Sequence, residues 1–417
     1  MKYIIYIFLI LSIPLLPRFN SIDVIGVHWL ALSIINLSFL FYLIAIDKSF
    51  EFFRFLKSIP LVSYLIFVFI SLISFIYSTN LNLSVVDFSR ILNTLFTIFI
   101  LLNFFSKYFS FYYFSLLISF FLIFDIFFAF KPYLQQAISL DQNFVTFFID
   151  NYQPTFLKGL NGNKNITAAY TLIKLPFLFY VLFKSKSKKL ILSVYFILFF
   201  MYLLLFLLVA RAALLSLIII SLFFLFFIFF KNRIQCLKVS IVILFSFIFS
   251  NILITQSTKG SNSLASELSS INFSNESSNS RFLLWENAVD ALYSSNFIGL
   301  GLGTWKVESL PYWNKNGSAY IVPYHAHNDF FELSAELGLL GSMSFLFVFL
   351  SFFFILFKSF LIKYDFKYSV IFMSLLVYFI DANLNFPLER TSMQVFFALI
   401  LALSIHLLYH EKINSPS

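Results

Sequence analysis

Long apolar stretches dominate this chain and limit what it can fold into. A helix that crosses the roughly 30 Å hydrocarbon core of a bilayer needs about 17–25 mostly apolar residues. Only 11% of the 417 residues are charged, whereas a soluble domain has about 25%. We therefore predict an all-α polytopic membrane protein of about 12 transmembrane helices, and this composition excludes a soluble enzyme. The candidate spans are residues 3–17, 28–46, 60–78, 88–106, 109–130, 166–183, 190–209, 212–230, 238–255, 338–357, 368–384 and 393–410.

The basic residues indicate how the spans are oriented. Lysine and arginine outnumber the acids by 28 to 19 and give a formal charge of +9. They concentrate in alternate short connections, such as the run from Lys184 to Lys189, which is typical of the cytoplasmic side. We therefore place both termini in the cytoplasm and need no nucleic-acid partner to account for the charge. The lone Cys236 excludes a disulfide scaffold and a thiolate metal site.

Counting spans from a cytoplasmic N-terminus divides the chain into three parts. Residues 1–255 hold the first nine helices, residues 256–337 form a large outer loop with short helices, and residues 338–417 hold three more helices and a short cytoplasmic tail. A smaller outer loop is expected at residues 131–165. No internal repeat and no matching halves are visible, which argues against a solenoid and a transporter.

The large outer loop changes character along its length. Residues 256–280 are rich in serine and asparagine, so we expect them to be mobile. From Arg281 onward, Trp285, Ala288 and Leu292 recur at helical spacing. This spacing predicts an amphipathic helix on or near the membrane surface, with Arg281 in its first turn.

Two arginines are candidates for binding an anion. Arg211 lies in a nearly continuous apolar run that must contain two helices and the tight outer turn between them. Arg281 shares the apolar stripe of its helix, where we expect the helix dipole to add attraction for an anion. A guanidinium is always charged and its forked shape suits a phosphate. The alternative for each is an anchor that reaches the membrane interface.

Two of the five histidines, His325 and His327, lie within three residues of each other before a predicted helix. Asn328 or Asp329 can cap that helix, and Glu332 and Glu336 follow on one of its faces. A neutral imidazole in this position is a candidate general base. The alternative is a structural histidine. Zinc binding has little support because a His-x-His pair has no obvious third ligand here.

Several other patterns do not indicate a cofactor. The glycines at 299, 301 and 303 follow no buried strand, so they do not form a dinucleotide loop. The chain contains no Asp-x-Asp pair for a metal-chelated sugar nucleotide. Asp125, Lys174 and Asp381 fall inside or near spans, and we expect internal ion pairing rather than catalysis for them.

Taken together, these features resemble the O-antigen ligase and O-antigen polymerase superfamily over about residues 155–345. His327 and Asn328, then nine residues, then Gly338-Leu339-Leu340-Gly341 are similar to the ligase motif of a histidine followed by Gly-x-x-Gly. The turn at Arg211 is similar to the family's arginine-bearing outer turn. Arg281 with Trp285, and the segment from Gly162 to Asn165, also resemble family features.

The resemblance implies a GT-C-like glycosyltransferase in a bacterial inner membrane, with its active site in the periplasm and no cofactor. Transfer would be inverting and metal-independent. The donor partner would be an undecaprenyl-diphosphate-linked glycan, with lipid A–core or a growing glycan as acceptor. Arg211 and Arg281 would hold the diphosphate, and His327 would take the proton of the acceptor hydroxyl. Further residues of the site would be His325, Asn328, Trp285, Asn163 and Asn165, with Gly338 and Gly341 as a structural motif.

Three other functions remain open at this point. A repeat-unit polymerase and a protein O-oligosaccharyltransferase would use the same donor as the ligase. A flippase for lipid-linked sugars is the non-enzymatic alternative, and it would need basic residues along a path open to both sides. Here the candidate arginines cluster at the outer face, which favours an enzyme.

Overall fold

The computed structural model describes residues 2–17, 19–47, 56, 58–107, 109–258, 276–313 and 324–414. Within these ranges the chain forms helices and turns and no strand. Eleven helical segments are long and apolar enough to cross a membrane. The prediction of an all-α polytopic membrane protein is therefore confirmed, whereas the 256–280 segment predicted to be mobile lies mostly outside the described residues.

The seventeen α-helices among the described residues are numbered here in chain order. They are α1 Lys2–Ser12, α2 Val24–Phe41, α3 Ile59–Ile73, α4 Leu81–Lys107, α5 Phe111–Ser139, α6 Phe144–Asn151, α7 Lys164–Leu172, α8 Leu175–Lys184, α9 Lys188–Leu208, α10 Arg211–Lys231, α11 Arg233–Ser257, α12 Glu276–Ser294, α13 Trp305–Glu308, α14 Leu310–Trp313, α15 Asp329–Lys363, α16 Phe366–Leu384 and α17 Thr391–Asn414.

The first predicted span is wrong in length. Residues 3–17 form only the short helix α1, followed by a 3-10 turn at Ile13–Leu15. Pro14 lies in that turn, and a proline inside an α-helix removes a hydrogen bond and clashes with the preceding turn. The structure therefore has eleven segments of spanning length among its described residues, together with this shorter apolar helix.

Two compact units make up the fold. Unit 1 contains residues 1–109 and 276–417, and unit 2 contains residues 110–275. In unit 1, α15 packs against α3, α12 and α16, and α17 packs against α4. In unit 2, α9 packs against α11 and α5 packs against α8. The predicted division at residues 255 and 337 follows membrane topology instead, so it stays a prediction.

Helix α15 is broken at Gly338. This residue has φ 68° and ψ −171°, a backbone conformation that only glycine adopts readily. The break leaves carbonyl groups of α15 without helical partners, and amides in the segment between α12 and α13 donate to them. The amides of Leu300 and Gly301 donate to the carbonyls of Ala335 and Glu336 at 3.0 and 2.8 Å. The nine residues before Gly338 therefore form a separate capped segment, outside the span predicted to begin at 338.

Candidate active site

Asn328 fixes where the histidine segment meets α15. Its side-chain oxygen accepts hydrogen bonds from the amides of Phe330 and Phe331 at 2.9 and 3.1 Å, which satisfies two of the free amides of a helix start. Its side-chain nitrogen donates to the carbonyl of Asn383 at 2.9 Å. The predicted cap is therefore Asn328, and it also joins the histidine segment to the end of α16.

His327 adopts an uncommon backbone conformation beside an aromatic ring. Its φ is 54°, in the left-handed region that few non-glycine residues adopt. Its ring meets the ring of Phe386 edge-on, with centroids 5.1 Å apart. Its Nδ1 is buried and has no hydrogen-bond partner among the described residues. A buried polar atom without a partner costs free energy, so this nitrogen is suited to a proton or a ligand.

The surroundings of His327 keep its imidazole neutral. Burial is the largest cause that lowers its pKa, followed by the positive charge of Arg281 and then by His325. Arg390 lowers the pKa further, whereas Glu332 raises it, and the resulting value is about 4. At pH 7 the imidazole is therefore unprotonated and can accept a proton.

His325 is held by a carboxylate and by the same aromatic ring. Its Nδ1 lies 3.1 Å from Oε1 of Glu332, whose Oε2 accepts from the amide of Ala326 at 2.8 Å. Its ring stacks on Phe386 with centroids 4.1 Å apart and an interplanar angle of 12°. The structure thus gives His325 fixed partners next to His327, which is compatible with an orienting role.

Arg281 and Trp285 lie on α12, which packs against α15 through small residues. Ala288 and Ala291 are buried with Trp305 in this contact. The ring of Trp285 stacks on the ring of Phe331, with centroids 5.5 Å apart. The Nε1 of Trp285 is buried without a hydrogen-bond partner among the described residues. The amphipathic helix predicted to lie on or near the membrane therefore uses its apolar face for packing within unit 1.

The predicted position of Arg281 in the first turn is wrong. Helix α12 begins at Glu276, so Arg281 lies in its second turn. Once the packed part of a helix is formed, adding residues costs little, and the polar residues before Arg281 extend it. The dipole attraction expected for the first turn is correspondingly weaker. Arg281 nevertheless lies close enough to His327 for its charge to lower the pKa of that imidazole.

Sequence reasoning missed Phe386 and Arg390, in the connection between α16 and α17. The guanidinium carbon of Arg390 lies 4.6 Å from the centroid of the Phe386 ring. Asp381 interacts electrostatically with both Arg281 and Arg390. The available signal was an arginine in a short connection assigned to the outer side, where basic residues are sparse. Arg281, His325, His327, Phe386 and Arg390 are called the histidine–arginine cluster below.

An ion-pair network anchors the connection that carries Phe386 and Arg390. Glu389 pairs with Arg90 of α4 at 2.5 Å and with Lys306 of α13 at 3.0 Å. Both cations also pair with Asp87, at 2.7 and 3.2 Å respectively. Burial raises the pKa of Glu389, but Lys306 and Arg90 outweigh it, so the pKa lies below its ordinary value. The connection is thus tied to two other elements of unit 1.

A cavity beside this network is lined by carboxylates and is small. The space open to the centre of a water molecule is about 30 Å³, enough for about two waters. Its charged lining residues are Asp87, Arg90, Asp329, Glu332, Glu336 and Glu389. Arg90 in this lining already pairs with Asp87 and Glu389, so the histidine–arginine cluster is the better candidate for binding a phosphate group.

Arg211 lies in unit 2, at the tight turn predicted from its apolar surroundings. Helix α9 ends at Leu208, Val209 adopts a left-handed conformation with φ 46°, and α10 begins at Arg211 itself. Its neighbours Ala212 and Ala213 are buried, whereas Arg211 is partly exposed. Because Arg211 belongs to a different compact unit from His327, their membership of one site stays a prediction.

The remaining predicted residues have structural roles that the contacts make plain. Asn163 caps α7 by accepting from the amide of Asn165 at 2.8 Å, and both lie in unit 2. An added Cβ at Gly338 would collide with the carbonyl of Phe297, and one at Gly341 would collide with Leu337. The expected substrate contacts of Asn163 and Asn165 stay predictions.

Of the three ionisable groups predicted to pair internally, two form an ion pair. Lys174 and Asp125 lie within hydrogen-bonding distance in unit 2, with side chains 0% and 6% exposed. The Nζ atom of Lys174 also lies over the ring of Tyr170, 3.4 Å from its centroid. Asp381 accepts from the side chain of Asn385 at 2.6 Å. The prediction of structural pairing is confirmed for Lys174 and Asp125.

Comparison with known proteins identifies the region that carries most of these residues. Residues 196–346 match the family model described as O-antigen ligase. The match contains Arg211, Arg281 and His327, whereas Phe386 and Arg390 lie outside it. No curated protein matches the chain significantly. This match supports the resemblance of residues 196–346 to the O-antigen ligase and polymerase superfamily.

Proposed function

We propose that this protein is an O-antigen ligase of the bacterial inner membrane. It transfers a glycan from undecaprenyl diphosphate to a hydroxyl of lipid A–core, on the periplasmic side and with inversion at the anomeric carbon. The observation that carries the proposal is a neutral imidazole with an unpartnered buried nitrogen at His327, beside the guanidinium groups of Arg281 and Arg390. The match to the O-antigen ligase family over residues 196–346 supports the same class of reaction.

In this reaction His327 acts as the general base. It takes the proton of the acceptor hydroxyl while the hydroxyl oxygen forms a bond to the anomeric carbon. The bond between that carbon and the diphosphate oxygen breaks, and its electron pair leaves with undecaprenyl diphosphate. General bases of this kind contribute about 10²–10⁴ in rate. His325, held by Glu332 and stacked on Phe386, orients the neighbouring imidazole.

The leaving diphosphate gains negative charge as its bond to the sugar breaks. Arg281 and, as the family resemblance implies, Arg211 are the groups proposed to stabilise that charge without a metal ion. A preorganised donor aimed at developing charge contributes about 10²–10³ in rate. The guanidinium fork can form two hydrogen bonds to one phosphate group.

The donor is expected to strengthen the base as it binds. After burial, the charge of Arg281 is the largest cause of the low pKa of His327. An anionic diphosphate next to that guanidinium offsets its charge, so the pKa of His327 rises toward neutrality in the donor complex. A stronger base is therefore formed only when there is a donor to react.

Transfer by purified protein in liposomes tests the proposed function. We expect transfer of glycan from undecaprenyl diphosphate to lipid A–core, undiminished by EDTA. His327→Ala should lose about 10²–10⁴ of the rate and Arg211→Ala about 10²–10³, with His28→Gln as the matched histidine control. Full activity in both variants would refute the assigned roles, and loss of activity with EDTA would refute the metal-independent mechanism.

The choice of acceptor separates the ligase from the polymerase. A second lipid-linked repeat unit is offered in place of lipid A–core under the same conditions. Extension of the lipid-linked glycan without transfer to core would identify a repeat-unit polymerase. In a strain that lacks this protein, unmodified core and accumulated lipid-linked polymer would indicate a ligase. Single repeats on core would indicate a polymerase.

A further inference from the structure

Arg390 is a charged side chain for which the described residues provide no hydrogen-bond acceptor. Among the residues the structure describes, its guanidinium makes no hydrogen bond and no ion pair, and its Nε is buried without a partner. A guanidinium has five N–H donors, and leaving a buried charge unpaired is costly. Burial accordingly lowers the pKa of Arg390, against the opposing charges of Glu389 and Asp381. The donors of Arg390 are therefore available to a ligand.

The ring of Phe386 places Arg390 next to the proposed base. The centroid of the His327 ring lies 5.1 Å from the centroid of the Phe386 ring. The guanidinium carbon of Arg390 lies 4.6 Å from the same Phe386 centroid. Asp381 is the carboxylate that interacts with both Arg281 and Arg390. Glu389 also acts on Arg390, but it already pairs with Arg90 and Lys306. Asp381 is then left to oppose two guanidinium groups, which favours an anion beside them.

The connection that carries Arg390 is held in place before any ligand binds. The amide of Leu388 donates to Oδ2 of Asp329 at 3.1 Å. The indole of Trp29 donates to the carbonyl of Glu389 at 3.1 Å, and Arg90 and Lys306 pair with the Glu389 side chain. Donors fixed in this way need little reorganisation when charge develops, which is the requirement for electrostatic catalysis.

We propose that Arg390 is a further donor-binding residue, and that its guanidinium grips the diphosphate of the glycan donor together with Arg281. The proposal rests on the proposed function. In an inverting displacement the attacking and leaving oxygens flank the same anomeric carbon, so the side chains around the base and those that hold the diphosphate border one sugar unit. The diphosphate then leaves with its electron pair onto oxygens that Arg390 contacts.

The test compares Arg390→Gln and Arg390→Lys with the wild-type protein in the liposome assay. We expect Arg390→Gln to raise the donor KM, and the inhibition constant of inorganic diphosphate, by about ten- to a hundredfold, as for hydrogen bonds to charged groups. Arg390→Lys should recover part of the loss because it restores charge but not the fork. Arg233→Gln is the matched control, since Arg233 also lies over an aromatic ring, at 5.3 Å from Phe229.

The pH dependence provides a readout that a structural role would not change. The charged or titratable groups that act on His327 are Arg281, His325, Glu332 and Arg390. Removing Arg390 removes one positive charge, so the acid limb of kcat/KM, which reports the free enzyme, should move to higher pH. Glu332→Gln removes the opposing negative charge and should move the limb to lower pH.

The outcomes separate the two proposals. Unchanged donor KM, diphosphate inhibition and acid limb in Arg390→Gln, with activity lost in His327→Ala, would overturn the role of Arg390 and leave the proposed function intact. Full activity in both variants would overturn the proposed function itself. If Arg390→Gln fails to fold, Arg390→Lys decides by donor KM and diphosphate inhibition, because it keeps the charge that acts on His327. Wild-type values for both would overturn the proposal.

Discussion

Replacing Gly338 with alanine should destabilise the protein far more than an ordinary glycine substitution. The residue occupies a backbone region that is essentially restricted to glycine, which costs other residues about 1–3 kcal/mol. The new Cβ would also collide with the carbonyls of Phe297 and Ile298, and overpacking of this kind costs about 1–3 kcal/mol. Alanine recovers about 0.4–1 kcal/mol by restricting the unfolded chain. The expected net loss is about 1–6 kcal/mol.

Gly162→Ala is the matched control. Gly162 has a φ of 72°, similar to Gly338, but a Cβ added there meets nothing within 4 Å. Only the left-handed strain of about 1–2 kcal/mol remains, partly offset by the unfolded-state effect. Far-ultraviolet circular dichroism during unfolding in mixed micelles follows both units. Tryptophan fluorescence follows unit 1, which contains all four tryptophans.

The comparison has a clear failing result. If the free energies of unfolding of Gly338→Ala and Gly162→Ala lie within about 1 kcal/mol of each other, the collision with the segment between α12 and α13 does not exist in the folded protein. The break in α15 would then not be held by the loop that contains Phe297 and Ile298. An intact control with a strongly destabilised Gly338→Ala supports the described packing.

The other predictions concern charged groups. Because the pKa of free His327 is about 4 and the donor should raise it, the acid limb of kcat should lie at higher pH than that of kcat/KM; coincident limbs in the two pH profiles would contradict this. Lys174→Met alone should cost about 3–5 kcal/mol, whereas Lys174→Met with Asp125→Asn should cost much less; equal losses on unfolding would argue against the buried pair. Lys306→Met should lower the Tm at pH 7, and the difference should shrink as the pH falls through the lowered pKa of Glu389, because the pair is lost when that carboxyl is protonated. A Tm difference independent of pH would count against the pair.

The helices of this protein are largely readable from its sequence, because a bilayer demands long apolar runs. Arg211 lies at the turn that was expected within the apolar run. Helix α9 ends, and helix α10 begins, within two residues of the expected positions. The short α1 was overestimated because its apolar run continues past Pro14, although the helix does not. Composition reports how much of a segment is apolar, whereas proline decides where the helix stops.

The part of the candidate site formed by His327, Asn328 and Arg281 was predictable from the sequence, whereas the connection that carries Phe386 and Arg390 was not. His327, Asn328 and Arg281 were visible because they lie in a polar loop close to a recognisable spacing. Phe386 and Arg390 lie in a different connection, and only the packing of α15 and α16 brings them to His327. Phe386 in particular was invisible because 64 phenylalanines give a single one no information. Contacts between residues distant in the chain depend on tertiary packing, which local patterns do not encode.

The amide of Leu388 has a consequence for how this protein can be monitored. It donates to the buried carboxylate of Asp329, so its hydrogen can exchange with solvent only when the two segments separate. The rate of deuterium uptake at this amide therefore reports how often the connection between α16 and α17 opens. If the exchange is slow and remains slow after a glycan donor is added, this connection does not move during donor binding. Any movement that admits or releases substrate would then have to come from other parts of the chain.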